Sequence, residues 1–171
     1  MPIELTPFPA DGAEMLERWL AGPLVARWWK AHWTVPVLEA LRAGGPLPAG
    51  TRAWLVELDG QPVGYAQDRD ALRDSDGWKA EDGVGPGTRA VAVLLGEPAA
   101  LNRKLGREAI RELARRLFAE PGVDRLVAAP HPDNWPAIIA FKRAGFRERG
   151  RRQFPDGPVM VLTAAKAVWK G

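Results

Sequence analysis

The chain has 171 residues, 46% of them hydrophobic, with a formal net charge of +3 and no cysteine. That length and apolar fraction predict a single domain over residues 1–171 with a real core, too short for two typical domains. The missing cysteines exclude disulfides, thiolate nucleophiles and thiolate-bound zinc.

Residues 3–8 read as a first strand. Residues 10–29 read as helical, with Met15, Leu16, Trp19, Leu20, Leu24 and Trp28 on apolar positions, and Gly22-Pro23 should divide them into two helices. A further helical piece over 33–41 closes in the turn-rich stretch 43–50. Two strands, 53–58 and 63–68, flank Asp59-Gly60, a hairpin signal. The irregular segment 73–88 exceeds ordinary loop length and is a candidate functional loop. Its Gly83-Val84-Gly85-Pro86-Gly87 follows no predicted strand and opens no helix, and Pro86 removes a donor, so it reads as loop only. An apolar strand (89–95), an amphipathic helix (102–119) and another strand (124–129) come next. Asn134 then caps a helix with Pro136 in its first turn. Ala137, Ile138, Phe141 and Ala144 form its apolar stripe, and Gly145 ends it. A hairpin over 147–154 and 159–164 turns around residues 155–158.

No apolar run reaches spanning length and no basic-plus-apolar leader opens the chain, so the expectation is a soluble, cytoplasmic protein without a membrane partner. The two histidines, His32 and His131, have no ligand spacing and read as surface or hydrogen-bonded groups, so no metal is expected. Trp19, Trp28, Trp29 and Trp33 serve either as core anchors or as an aromatic wall around a substrate. Charge is unevenly spread. Arg103, Lys104, Arg107, Arg111, Arg115 and Arg116 form a basic run, which suits an anionic partner. Asp68, Asp70, Asp74, Asp76, Glu81 and Asp82 form an acidic one, which suits a cationic partner. No aromatic residues interleave with the basic run, so nucleic acid is not the expected partner.

The pattern N-x-x-A-x-x-x-[FY]-x-[KR]-x-G-F over 134–146 resembles the fourth helix of the GNAT superfamily of acyl-CoA-dependent N-acyltransferases. Glu17-Arg18-Trp19-Leu20, Trp28-Trp29, residues 60–67, Asp76-Gly77-Trp78, Leu105-Gly106, residues 130–134 and Pro155-Asp156-Gly157-Pro158 follow in the same order. Together they look like the aminoglycoside 6′-N-acetyltransferases and siderophore lysine acyltransferases. The resemblance implies an α+β GNAT fold: a mixed, mostly antiparallel sheet of six to seven strands, splayed by an acyl-CoA cleft, with helices on both faces. It implies acetyl-CoA as acyl donor and the primary amine of a small cationic acceptor, aminoglycoside-like or polyamine, as substrate.

Carried over residue by residue, the resemblance assigns Val93, Leu94, Leu95, Arg103, Lys104, Leu105, Gly106, Arg107, Asn134 and Phe141 to the cofactor. The pyrophosphate would sit on the N-terminus of the 102–119 helix, where unpaired N–H groups and the macrodipole favour an anion. Gly106 matches the family's second loop glycine, whereas Lys104 stands in place of the first. Three cations in that first turn would oppose the dipole unless an anion binds there. Asp76 matches the acceptor-loop carboxylate and is the expected catalytic group. Gln67, Asp68, Asp70, Asp76 and Trp78 are the expected substrate contacts. Asp68 and Asp70 share a strand face with Ala66, while Tyr65 and Gln67 share the other; which face lines the cleft is open at this stage. Ala92 replaces the family's strand carboxylate and Phe141 its helix tyrosine, and Tyr65 is the only tyrosine. A CoA-binding GNAT-fold protein with lost or weak catalysis is therefore one alternative. A basic nucleic-acid-binding module is another.

Overall fold

The computed structural model describes residues 2–73, 76–100 and 104–171. Strand β1 (Ile3–Pro7) leads into three helices, α1 (Ala13–Leu20), α2 (Pro23–Trp28) and α3 (Ala31–Ala43). Gly22 is extended and Pro23 occupies the first position of α2, which divides the N-terminal helical stretch where the sequence predicts. Strands β2 (Thr51–Leu58) and β3 (Gln61–Asp70) form a hairpin. Its two turn residues, Asp59 and Gly60, both have positive φ (52° and 78°), which matches the twist of the flanking strands. Then come β4 (Thr88–Leu95), α4 (Leu105–Phe118), β5 (Arg125–Ala128), α5 (Trp135–Arg143) and the hairpin β6 (Arg147–Phe154) and β7 (Gly157–Ala165).

The strands form one sheet in the order β1-β2-β3-β4-β5-β7-β6. Every neighbouring pair is antiparallel except β4 with β5, which is parallel because α4 carries the chain back over the sheet. Helices cover both faces. On one, Val56, Ala66, Val91 and Leu126 pack against Leu113 and Leu117 of α4 and against Ile138 and Phe141 of α5. On the other, Leu55, Tyr65 and Leu94 pack against Leu16 and Trp19 of α1 and Val37 and Leu38 of α3. A third cluster joins Trp78 of the long loop to Ala90, Val127, Phe154 and Val161.

Strand alternation thus sends Ala66 and Asp68 toward α4, and Tyr65 and Gln67 toward the N-terminal helices. The predicted 102–119 helix differs at its start. Lys104 is left-handed (φ 57°) and the regular helix begins at Leu105. The predicted charge pattern changes with it: Lys104 precedes the helix, Arg107 and Glu108 lie in its first turn, and Arg103 and Asn102 fall outside the described residues.

Candidate active site

Strands β4 and β5 pair over only three positions, from Thr88 with Arg125 to Ala90 with Val127. Beyond Ala90 no strand among the described residues pairs with β4 on that side, so Val91–Leu95 presents a free main-chain edge. The two strands diverge around a cavity of about 520 Å³, walled by Val91, Ala92, Val93, Leu94 and Leu95 on one side and by Ala128, Ala129 and Pro130 on the other. This opening within the sheet leaves main-chain N–H and C=O groups facing the cavity.

Lys104, Gly106 and Arg107 at the start of α4 close one end of the cavity, with Ala140, Phe141 and Arg143 of α5 beside them. Among the described residues no side chain caps α4. Its first N–H groups, which have no carbonyl partner within the helix, are therefore left for an anion. A methyl group on Gly106 would lie 4.0 Å from the Ala140 Cβ, an ordinary contact that the space between α4 and α5 accommodates. Leu105 is buried in the core and does not line the cavity. Its expected cofactor contact is thus corrected to packing beneath the loop, its backbone alone remaining available. Asn134 lines the cavity, and its Oδ1 caps α5 by accepting from the Ala137 N–H at 3.4 Å. Gly145, with φ of 99°, ends that helix under Trp169, whose Nε1 donates to the Ala144 carbonyl.

The opposite end is aromatic. Trp28, Trp29 and Trp33 line it with Leu24 and Val25, and Trp29 meets Trp33 edge to face at 5.0 Å. The tryptophans divide between the two roles the sequence leaves open. Trp19 is a core anchor, while Trp28, Trp29 and Trp33 form a wall. Among the described residues lining the cavity none is acidic; the charged ones are Lys104, Arg107 and Arg143.

The expected acceptor contacts lie elsewhere. Asp76, expected as the catalytic carboxylate, is 2% exposed. Its Oδ1 is 2.5 Å from His32 Nε2, and its Oδ2 accepts from Trp33 Nε1 at 2.7 Å and from Arg69 at 3.2 Å. Burial pushes its pKa up, but Arg69, Trp33 and His32 outweigh that and hold it below the usual carboxylate value. A carboxylate so engaged is a weak base. Its geometry is that of an anchor for Trp33 rather than a receiver of ammonium.

Asp68 is fully buried and ion-paired to Arg52 and Arg89, with its Oδ2 accepting from Trp54 Nε1, so the predicted acceptor contact is corrected to an internal ion-pair network. Trp78 is 1% exposed and packs edge to face on Phe154, which takes it out of reach of a substrate. Gln67 is fully buried, accepting from the Tyr65 hydroxyl at 2.7 Å, and does not line the cavity. Burial raises the Tyr65 pKa well above its ordinary value, so it is a poor proton donor to a leaving thiolate. Asp70 lines a smaller recess of about 210 Å³ with His32, Trp33, Arg69 and Arg73.

The acidic run is largely used internally, since Asp70 pairs with Arg73 and Glu81 with Arg152, while Asp74 lies outside the described residues. Sequence reading missed His32 as a partner of Asp76, because the two are brought together only by tertiary folding. His32, Asp76 and Asp156 offer ligand-type atoms within 4.8 Å of one another, but Lys30 and Arg69 already neutralise the two carboxylates. The basic run is likewise mostly satisfied. Arg107 and Arg111 pair with Glu108, Arg115 pairs with Glu112, and Arg116 donates to the Leu5 carbonyl.

Residues 9–154 match the family described as acetyltransferase (GNAT) domain. The aminoglycoside N(6′)-acetyltransferase type 1 of Klebsiella pneumoniae is 31% identical over 161 residues, covering 91% of this chain and 79% of that protein, and the Serratia marcescens protein of that name matches equally. Among solved structures, AAC(6′)-Ib with ribostamycin and coenzyme A superposes with a TM-score of 0.85 at 29% identity, over 98% of this chain and 95% of the other. The same enzyme with coenzyme A and kanamycin gives 0.83 at 30% identity, over 96% and 95%. None of the described helices is long and apolar enough to cross a membrane.

Proposed function

From the premise that this chain belongs to the GNAT acetyltransferase family, we propose that it is an acetyl-CoA-dependent N-acetyltransferase acting on the primary amine of a small cationic acceptor. The observation that carries the reading is the divergence of β4 from β5 after Ala90, which opens a ligand-sized cleft along a free strand edge. Its relatives act on aminoglycosides or are solved with coenzyme A and an aminoglycoside bound, which supports an acceptor of that class.

The donor would lie along Val91–Leu95, its pyrophosphate on the N–H groups at the start of α4 with Lys104 and Arg107 neutralising charge. Transfer forms a C–N bond as the amine attacks the thioester carbonyl and breaks the C–S bond, sulfur leaving as thiolate and the amine proton passing to solvent. Ala92 and Phe141 bring no acid or base to the reacting end. Rate then rests on holding amine and thioester together and on main-chain donors polarising the carbonyl.

The acceptor is attracted by aromatic faces more than by carboxylates. Arg27 already sits over the Trp28 ring at 4.6 Å, and Lys30 and Arg69 each over Trp33 at 5.5 Å, so these rings take cations on their faces as they would an acceptor ammonium. Asp76 serves this wall by fixing the Trp33 indole.

Calorimetry with coenzyme A, run beside a thiol-release assay with acetyl-CoA and kanamycin or spermidine, tests the reading. Binding and release together are expected. Binding without release would leave a coenzyme A-binding protein without catalysis, and absence of binding would overturn the site.

A further inference from the structure

The aromatic end of the cleft suits an apolar guest. Leu24, Val25, Trp28, Trp29 and Trp33 line it, and Leu24 stays exposed. Trp33 gives its Nε1–H to Asp76 at 2.7 Å, and Trp29 gives its own to the Thr34 hydroxyl at 3.3 Å, so neither ring has a donor left for a ligand. Trp29 meets both Trp33 and Tyr65 edge to face, at 5.0 and 6.2 Å, and Trp28 packs on His131 of the loop after β5 at 5.4 Å. The rings are therefore held in place before a ligand arrives, which spares a bound apolar group the cost of ordering them.

Charge at this wall opposes a polycation. Arg27 stands over Trp28, and Lys30 and Arg69 stand over Trp33. The carboxylates beside them are already engaged, Asp156 with Lys30 at 3.1 Å and Asp76 with Arg69 at 3.2 Å. His32 lies between those two carboxylates as well. Among the described residues the wall's cations thus outnumber the carboxylates paired to them. An acceptor with several ammonium groups brings charges that are repelled here and gain no unpaired carboxylate in return. A single amine is neutral when it attacks the thioester, and an apolar body gains by leaving water for the indoles. Resting on the acetyl-transfer reading above, we propose that the preferred acceptor within the small cationic class is an amphipathic monoamine, one primary amine joined to an apolar ring or chain, ahead of polyamines and aminoglycosides.

Calorimetry on the full chain loaded with coenzyme A, titrated in turn with phenethylamine, spermidine and kanamycin, tests this, with thiol release from acetyl-CoA measured beside it. Phenethylamine should bind about tenfold or more tightly than either polycation, the scale of burying one aromatic ring. Trp28→Ala should remove most of that preference by weakening phenethylamine alone. Lys30→Met keeps an apolar stem, removes a cation and releases Asp156. It should tighten spermidine and kanamycin about threefold, the scale of one partly exposed ion pair, and leave phenethylamine within about twofold. Spermidine or kanamycin binding the native chain as tightly as phenethylamine overturns the proposal. So does either variant that keeps the native melting temperature and leaves all three affinities unchanged. The expected order of affinities without thiol release from any amine would leave the acceptor assignment standing and refute catalysis. Failure to bind coenzyme A refutes the site on which both rest.

Discussion

Phe141 touches two environments at once. It is 6% exposed in the core beneath α5, edge to face with Phe146 at 5.0 Å, and it also lines the cleft. A hydroxyl at its para position has two possible fates. Directed into the cleft, it meets solvent or the leaving sulfur, and Phe141→Tyr should leave the melting temperature nearly unchanged and raise thiol release. A positioned general acid contributes about 10²–10⁴-fold where proton transfer limits the rate, and the missing carboxylate at Ala92 should hold the gain to the lower part of that range. Directed into the core, the hydroxyl lacks a partner and costs about 1–3 kcal/mol, read as a lower melting temperature with no gain in rate. Asp76 gives the second prediction at this scale. Its net pKa is depressed in the fold, so its stabilisation is present above the unfolded value and lost as pH falls through the folded one. Asp76→Asn keeps one acceptor oxygen for the donors His32, Trp33 and Arg69 and turns an amide toward some of them. It should cost about 1–3 kcal/mol at pH 7, with the gap to the native chain closing below about pH 4. Urea melts at the two pH values read this directly. The same variant should raise the Michaelis constant for a cationic amine, because Trp33 loses its anchor, while coenzyme A affinity stays level.

Helix α4 separates stability from binding. Gly106 is its second residue, and an added methyl group would sit at ordinary contact distance from Ala140. Gly106→Ala should therefore fold well and gain as much as about 0.5–1 kcal/mol from helix propensity. The same methyl group narrows the path by which a diphosphate reaches the first amides, so coenzyme A affinity should fall. A chain that is more stable and also binds coenzyme A as before would remove the glycine from the site. The start of this helix was only partly legible in the sequence. The amphipathic period fixes its body, with Leu105, Ala109, Leu113 and Leu117 buried, but nothing local announces that Lys104 takes a left-handed conformation without a capping side chain. Helix α5 is the opposite case, since Asn134, Pro136 and Gly145 each carry a backbone reason to stand where they do.

Ligand binding to the whole fold should appear as added stability. Coenzyme A at a hundred times its dissociation constant should contribute about 2.7 kcal/mol, measurable as a rise in melting temperature. That rise should shrink with ionic strength, because Lys104, Arg107 and Arg143 draw the donor partly through screened charge. An aminoglycoside preference held by tryptophan faces should be less sensitive to salt than one held by loop carboxylates, and a competition series in potassium chloride distinguishes the two.

Sequence alone determined the elements and their order, because period, caps and turns are local: the Gly22-Pro23 break, the Asp59-Gly60 hairpin and the Asn134 helix each depend on a few adjacent residues. It also exposed the two departures at Ala92 and Phe141, since these are matters of residue identity. Tertiary structure decided which charges are free. Asp68 and Asp76 look alike in a row of acidic residues, yet each is buried against arginines and an indole from other parts of the chain. Arg143 looks like one more surface cation beside Lys142, yet it faces the cleft. A charge is spent or available according to neighbours distant in sequence, and that pairing exists only once the sheet has brought them together.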